Sequence, residues 1–282
     1  MNRRHYWLSV LILGVTMLMG AISGGCTSEE AEKLQVVTST SLLAQIVERV
    51  GGENVAVVNI IPPAQCPGHF DVKPGDIQKL ADATIFLMHG WQGEKFTDDL
   101  IASADNPDLN VHKIDVPGNW MNPQVQAQAI DLITGVMSEA DADNSADFQK
   151  NAESFKASVN AKGAEMAAKL AEANVAEVNV LCADQQQGFV QWAGFNIVAI
   201  FGRPDSMTPQ VVKELVDKGR EGRVTLVMDN MQSGQDAGAG IAEELGSARV
   251  ILSNFPGCYE NTETWEKTID YNVELLLAAI GK

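Results

Sequence analysis

The chain has 282 residues, of which 45% are apolar and 6% are aromatic. A chain of this length and composition can bury one large core or two smaller ones, which excludes disorder for most of it. Asp and Glu number 37 against 20 Lys and Arg, so the formal net charge is −17. Because this charge repels phosphate backbones, we expect no nucleic-acid partner.

The N-terminal 25 residues have the features of an export signal. Two arginines form a basic start, an apolar stretch covers residues 7–22, and small residues directly precede Cys26. Small residues before a Cys resemble a lipobox, in which the Cys is acylated and becomes the new N-terminus. We predict a signal peptide over 1–25, lipidation at Cys26 and a polar tether over 26–33. An uncleaved anchor helix is the alternative.

In the remainder of the chain, β-like segments alternate with helix-like segments, which is typical of α/β folds with mostly parallel sheets. Helices are predicted over 42–50, from Pro74 onward, from Pro209 to about 219 behind an N-cap at Thr208, and over 262–280. The predicted strands cover residues 34–38, 55–61, 83–88, 111–114, 178–182, 196–201, 223–228 and 248–252.

One long helix is predicted over 141–174, a segment rich in Ala, Lys and Glu and free of Pro. At the usual rise, about 30 helical residues span about 45 Å, which is enough to pack across two lobes. We predict that this helix joins an N-terminal lobe (34–140) to a C-terminal lobe (175–282). The alternative is a surface helix of one lobe. Its apolar stripe comprises Phe148, Ala152, Phe155, Val159, Met166 and Leu170.

Three cysteines lie at the ends of predicted strands or in the loops that follow them. They are Cys66, Cys182 and Cys258, and in open α/β sheets the loops beyond the carboxyl ends of the strands bind ligands. His69 follows Cys66 by three residues, so one turn could present both to a single ion. Cys182 has a structural alternative as a small core residue, and two of the thiols could form a disulfide. A Pro-rich loop is a poor place for core packing, which favours Cys66 and His69 as ligands.

A series of motifs runs through most of the chain. They are VVTSTSLL from Val36, VGG from Val50, IPP from Ile61, GHFDVKPGDI from Gly68, LADA from Leu80, WMNP from Trp120, and the closing helix with Tyr271-Asn272. These motifs resemble those of the zinc and manganese solute-binding proteins of ABC importers. The resemblance spans nearly all of residues 34–281, and the stretch from His69 to Ala83 is its most specific part.

The resemblance implies two α/β lobes joined by a rigid long helix, with one metal ion in the cleft. It also implies three His and one carboxylate as the ligands of that ion. In this sequence His69 is retained, whereas the second and third His positions hold Gly118 and Ala183. The carboxylate position holds Ser253 or Asn254.

A cysteine lies near three of the four ligand positions implied by the resemblance. We therefore predict a rebuilt site of three thiolates and one imidazole, formed by Cys66, His69, Cys182 and Cys258. Four such ligands complete a tetrahedral shell, which argues for capture and release of an ion rather than for an enzyme. Zn²⁺ is the expected ion and Cu⁺ the next, because thiolates suit both and manganese prefers oxygen ligands.

The sequence thus predicts a monomeric, exported receptor, lipid-anchored on the extracellular or periplasmic face, that delivers a transition-metal ion to an ABC transporter permease. Two alternatives are open. The same fold could bind a non-metal or metal-complexed small ligand against Trp91, Trp120 or Trp192. A thiol redox protein could cycle two of the cysteines through a disulfide, although no Cys-x-x-Cys motif supports it. His89, which lacks neighbouring ligand types, is predicted to be structural.

Overall fold

The computed structural model describes residues 33–90, 94 and 96–282. The predicted signal peptide, the lipidation site Cys26, the tether up to residue 32 and Trp91 lie outside the described residues. Within the described part of the chain, no helix combines the length and the apolarity needed to cross a bilayer.

The first lobe is built on a four-stranded parallel sheet with the strand order β2-β1-β3-β4. All five residues of β3, Ile85–His89, are buried, as expected for a parallel strand with both faces covered. The elements of this lobe are β1 (Leu34–Thr38), α1 (Ser41–Gly51), β2 (Val55–Asn59), α2 (Pro74–Ala81), β3 (Ile85–His89), α3 (Phe96–Ala104) and β4 (Asn110–Ile114).

The second lobe repeats this plan with the strand order β6-β5-β7-β8, again all parallel. The predicted N-cap at Thr208 is confirmed, because its hydroxyl accepts the Val211 N–H at 3.3 Å. The elements of this lobe are β5 (Asn179–Ala183), α6 (Gln187–Ala193), β6 (Asn196–Phe201), α7 (Pro209–Glu221), β7 (Leu226–Asn230), α8 (Met231–Gly234), α9 (Ala239–Leu245), β8 (Ala248–Leu252) and α10 (Trp265–Ala279).

Two helices carry the chain from one lobe to the other: α4 (Pro123–Ala140) and α5 (Ser145–Glu172). The 28 residues of α5 span about 42 Å at the usual rise. All six apolar residues of the predicted stripe are buried on one face of this helix. That face belongs to one hydrophobic core that also contains residues of both sheets, such as Leu87 and Met228. The long helix therefore stabilises both lobes at once.

Each predicted strand overlaps an observed one, and the shifts at their ends have local causes. The strand predicted from residue 223 begins at Leu226, because Arg223 has a φ of +50° in the turn after α7 and a left-handed residue cannot start a strand. The strand predicted to end at 61 ends at Asn59. The next two amides, of Ile60 and Ile61, still donate to carbonyls at the end of β1 at 2.9 and 3.1 Å.

Candidate functional site

The carboxyl ends of both sheets open onto one cavity of about 630 Å³, which we call the cleft cavity. The loops that follow β2, β4, β5, β6, β7 and β8 supply its walls. This is where open α/β sheets bind ligands, in the crevice beyond the carboxyl ends of the strands. Most of the polar side chains that line the cavity are amides, among them Asn119, Gln185, Gln191, Asn230, Gln232 and Asn254.

The loop after β2 brings Cys66 to the cavity but not His69. Residues Pro67–His69 form a single 3-10 turn in which the His69 N–H donates to the Cys66 carbonyl at 3.1 Å. Cys66 is half-buried and lines the cavity, where Arg203 Nη1 donates to its Sγ at 3.5 Å. His69 is exposed and is not among the lining residues. The turn therefore places Cys66 at the cavity and His69 outside it, although their three-residue spacing predicts that both contact one ion.

Cys182 and Cys258 do not reach the cavity either. Cys182 lies on β5 with no exposed surface, inside the core shared with the long helix. Burial, with a smaller contribution from the Asp184 charge, raises the pKa of its thiol to about 12. Its strand neighbours Leu181 and Ala183 face the other hydrophobic core of the lobe. Cys258 is half-buried, and burial raises the pKa of its thiol as well.

The predicted four-donor set is not brought together. Among the described residues, no three His, Cys, Asp or Glu side chains are placed to share one ion. Cys182 is excluded because both faces of a parallel sheet are covered, and this cysteine faces the core instead of the cleft. The three cysteines from Cys66 to Cys258 are free thiols, so the disulfide alternative is not formed in this structure.

The other positions implied by the resemblance have taken up structural roles. Gly118 lines the cavity with a φ of +110°, a conformation that suits glycine and that L side chains rarely adopt. Ala183 is 3% exposed. Ser253 is fully buried, and its hydroxyl donates to the Phe255 carbonyl at 2.9 Å. None of these residues offers a free donor to an ion.

Side-chain amides that line the cavity instead form hydrogen bonds between the two lobes. Asn119, from the first lobe, donates from its Nδ2 to the Gln185 carbonyl and to Asn254 Oδ1, both at 2.8 Å. Gln232, from the second lobe, donates from its Nε2 to the Pro63 carbonyl at 2.9 Å. Sequence reasoning missed these residues, although Gln185 and Asn254 lie in strand-end loops that it did single out.

Two opposite charges line the cavity. Asp184 follows β5 and Arg203 follows β6. Burial raises the pKa of the Asp184 carboxyl, while the positive charge of Arg203 opposes that shift. Among the described residues, no carboxylate forms an ion pair with Arg203. Apart from the N–H that contacts the Cys66 sulfur, the guanidinium donors are thus available to a ligand.

Of the tryptophans proposed as cleft walls, Trp120 lines the cavity, whereas Trp192 stacks on Phe189 with ring centroids 5.6 Å apart and is not a lining residue. Behind Trp120 lies His89, whose ring meets the indole edge-on at 4.8 Å. His89 Nε2 is 2.9 Å from the Thr40 hydroxyl, and complete burial lowers the pKa of the imidazole to about 3. These contacts agree with the structural role predicted for His89.

Curated relatives of this chain are lipoproteins named for metal binding. The manganese-binding lipoprotein MntA of Halalkalibacterium halodurans is 27% identical over 159 residues, which cover 50% of this chain and 53% of MntA. The chain thus spans about half the length of that relative. The metal ABC transporter substrate-binding lipoprotein SsaB of Streptococcus sanguinis is 20% identical over 98% of both chains. These names agree with the predicted export and lipid anchoring.

Solved structures of the same class share the fold. The periplasmic zinc-binding protein TroA of Treponema pallidum superposes with a TM-score of 0.75 at 14% identity, covering 89% of this chain and 100% of TroA. A periplasmic metal-binding protein of Candidatus Liberibacter asiaticus gives a TM-score of 0.76 at 12% identity, covering 88% and 100%. The predicted two-lobed fold is confirmed.

The family model described as "ZnuA: Zinc-uptake complex component A periplasmic" matches residues 36–279. This match extends from β1 to the last turn of α10 and so includes both lobes, the linking helices and every loop that lines the cleft cavity. It confirms the resemblance to the solute-binding proteins of ABC metal importers. The chain therefore belongs to the ZnuA family of periplasmic zinc-uptake components.

Proposed function

We propose that this protein is the extracytoplasmic receptor of an ABC importer, anchored through Cys26, and that it captures its cargo in the cleft cavity for delivery to a permease. Family membership and the two-lobed fold support this role. The cavity adds support, because it lies at the carboxyl ends of both sheets and is lined by both lobes. Its walls are mainly amides, which suit binding more than catalysis.

We infer further that the metal enters this cavity as a complex with a small organic molecule. One observation carries this step: the cavity measures about 630 Å³, yet no three metal-binding side chains meet among the described residues. A single water needs about 10–15 Å³ of such volume and a bare metal ion no more, so the cavity is far larger than a bare ion needs. Pockets that bind small organic ligands typically measure about 300–1,000 Å³, and the volume of the cleft cavity lies within this range.

A bare Zn²⁺ or Cu⁺ ion is the second candidate cargo. The Cys66 thiol favours it, because this soft donor lines the cavity and His69 follows three residues later. Such a site would need His69 to turn inward. It would also need donors other than Cys182, which is enclosed in the core.

Native mass spectrometry with elemental analysis of the full-length protein, purified without added metal, separates the two cargoes. If the cargo is a metal complex, the bound mass should be larger than that of the metal alone. A bound mass equal to that of one bare ion would contradict it.

Titration of Zn²⁺ and Cu⁺ into the stripped protein gives a second, independent comparison. If the cargo is a metal complex, either bare ion should bind weakly, and Cys66→Ser should not change the affinity for it. Tight binding of one ion per chain, weakened about tenfold or more by Cys66→Ser, would establish the second candidate instead. Cys182→Ser is the matched control, because that thiol lies outside the cavity.

A further inference from the structure

One buried amide of the cleft cavity has a hydrogen-bond donor to spare. Asn230, the last residue of β7, is 1% exposed and lines the cavity. Its Oδ1 accepts the Ser233 N–H at 2.8 Å, which determines the orientation of the amide, since the opposite orientation would place two donors together. The remaining Nδ2 is buried without a hydrogen-bond partner. Because buried donors are nearly always paired, this one indicates a missing acceptor.

Arg203 supplies a positive charge to the same cavity. A guanidinium has five N–H donors in a planar fork, and here one of them contacts the Cys66 sulfur. The loops that carry Arg203 and Asn230 lie against each other: a Cβ added at Gly234, after β7, would overlap the ring of Pro204. Arg203 and Asn230 therefore offer hydrogen-bond donors from adjoining loops.

Acceptors also line the cavity. Asp184 follows β5, and the neighbouring Gln185 has a buried Oε1 without a hydrogen-bond partner. A carboxylate and an amide oxygen suit a cationic or N–H-bearing centre. The polar lining thus combines donors that favour an anionic group with acceptors that favour a positive one.

We propose that the cargo carries a carboxylate beside a cationic or metal centre, and that Arg203 and Asn230 bind the carboxylate. A planar guanidinium binds a carboxylate through two parallel N–H···O bonds, which is the geometry that the fork of Arg203 provides. This inference rests on the proposed receptor function and names the chemical class of its cargo. The carboxylate belongs either to a free organic acid or amino acid, or to a chelator that holds a metal ion.

The test is a binding screen of the full-length protein against a panel of mono-, di- and tricarboxylic acids and amino acids. Each compound is offered alone and as its Zn²⁺ complex, with ZnSO₄ as the carboxylate-free probe. Compounds that raise the unfolding temperature are then titrated by calorimetry. Binding of the complex but not of the free acid identifies a chelator as the source, and equal binding of both identifies the free acid.

Arg203→Gln and Asn230→Asp are each expected to weaken binding of the selected carboxylate by about tenfold to a hundredfold. The first removes charge-assisted hydrogen bonds, and the second replaces a hydrogen-bond donor with a negative charge that repels the carboxylate. The matched control is Arg220→Gln. Arg220 is exposed on α7, is not a lining residue of the cavity, and forms an ion pair with Glu244 at a distance of 3.2 Å. Unfolding temperatures without ligand show whether the variants fold.

Three results overturn the inference. One is that no carboxylate in the panel binds. A second is that the best ligand binds Arg203→Gln as tightly as the unmodified protein. Tight binding of Zn²⁺ from ZnSO₄ alone would also overturn it and would leave the receptor function standing. The receptor function itself fails if protein purified from its native cells carries no small molecule or metal by native mass spectrometry.

Discussion

Glu94 provides a sharp test of the electrostatics behind the cleft. Its side chain is 3% exposed, and the Ser39 hydroxyl donates to Oε1. Burial raises the pKa of this carboxyl to about 8, although Ser39, the His89 backbone and the Lys113 charge act in the opposite direction. In the unfolded chain the carboxyl has its ordinary pKa of 4.5. Between these two values the folded protein holds a proton that the unfolded chain releases.

The free energy of unfolding therefore falls as the pH rises from 4.5 towards 8. Each pH unit costs about 1.4 kcal/mol, so the loss is about 3 kcal/mol at neutral pH and about 5 kcal/mol above the folded pKa. The effect of His89 on stability has the opposite sign. Burial lowers the pKa of its imidazole from 6.5 to about 3, so the free energy of unfolding falls as the pH drops through that range. The two slopes offset each other between about pH 4.5 and 6.5, where we expect maximum stability.

Glu94→Gln removes the titration while keeping the shape of the side chain. At pH 5 the variant should unfold close to the temperature of the unmodified protein. At neutral pH it should be more stable by about 3 kcal/mol, or roughly 6–12 °C for a chain of this size. Thermal unfolding followed by circular dichroism across pH 5 to 8.5 measures both. Glu53→Gln, on the exposed surface, is the matched control. Parallel pH profiles for the Glu94 variant and the unmodified protein would refute the buried, protonated carboxyl.

Three further predictions concern the core and the thiols. Phe155→Ala on α5 should lower the free energy of unfolding by about 3–5 kcal/mol, measured by urea unfolding; a loss below 1 kcal/mol would contradict the shared core. Gly163→Ala should cost about 1–3 kcal/mol, because the added Cβ would overlap Pro123 where α4 crosses α5, and an unchanged unfolding midpoint would show that the crossing can relax. Maleimide labelling followed by mass spectrometry should modify Cys66 in the folded protein and Cys182 only after unfolding; equal rates would show that Cys182 is accessible.

Much of the fold could be predicted because it is encoded in local periodicity and capping. The stripe of α5 and the Thr208 cap are examples, since each depends on residues within a few turns of one another. Helix α4 was not predicted, although Asn122 and Pro123 carry its start signal: the Asn122 side chain accepts the Gln124 N–H at 2.9 Å.

The candidate site was less predictable, because strand ends do not reveal which way a side chain faces. The sequence placed three cysteines at strand-end loops, but only Cys66 lines the cavity. The side chains of β5 alternate between two different cores, and this alternation places the Cys182 thiol in the core that also contains residues of the long helix. The bridging amides Asn119 and Gln232 were missed because each contacts a residue more than sixty positions away.

The sequence by itself determined the alternating α/β pattern, the long linking helix, the acidic surface charge and the family, because each depends on composition, short-range spacing or ordered motifs. Only the tertiary structure decided which strand-end side chains meet. Their meeting depends on how α4 and α5 set one sheet against the other, and no local pattern encodes that distance. The packing leaves the thiols apart and brings Arg203 and Asn230 to one cavity. For this reason the cavity, and not the motif, indicates the chemistry of the cargo.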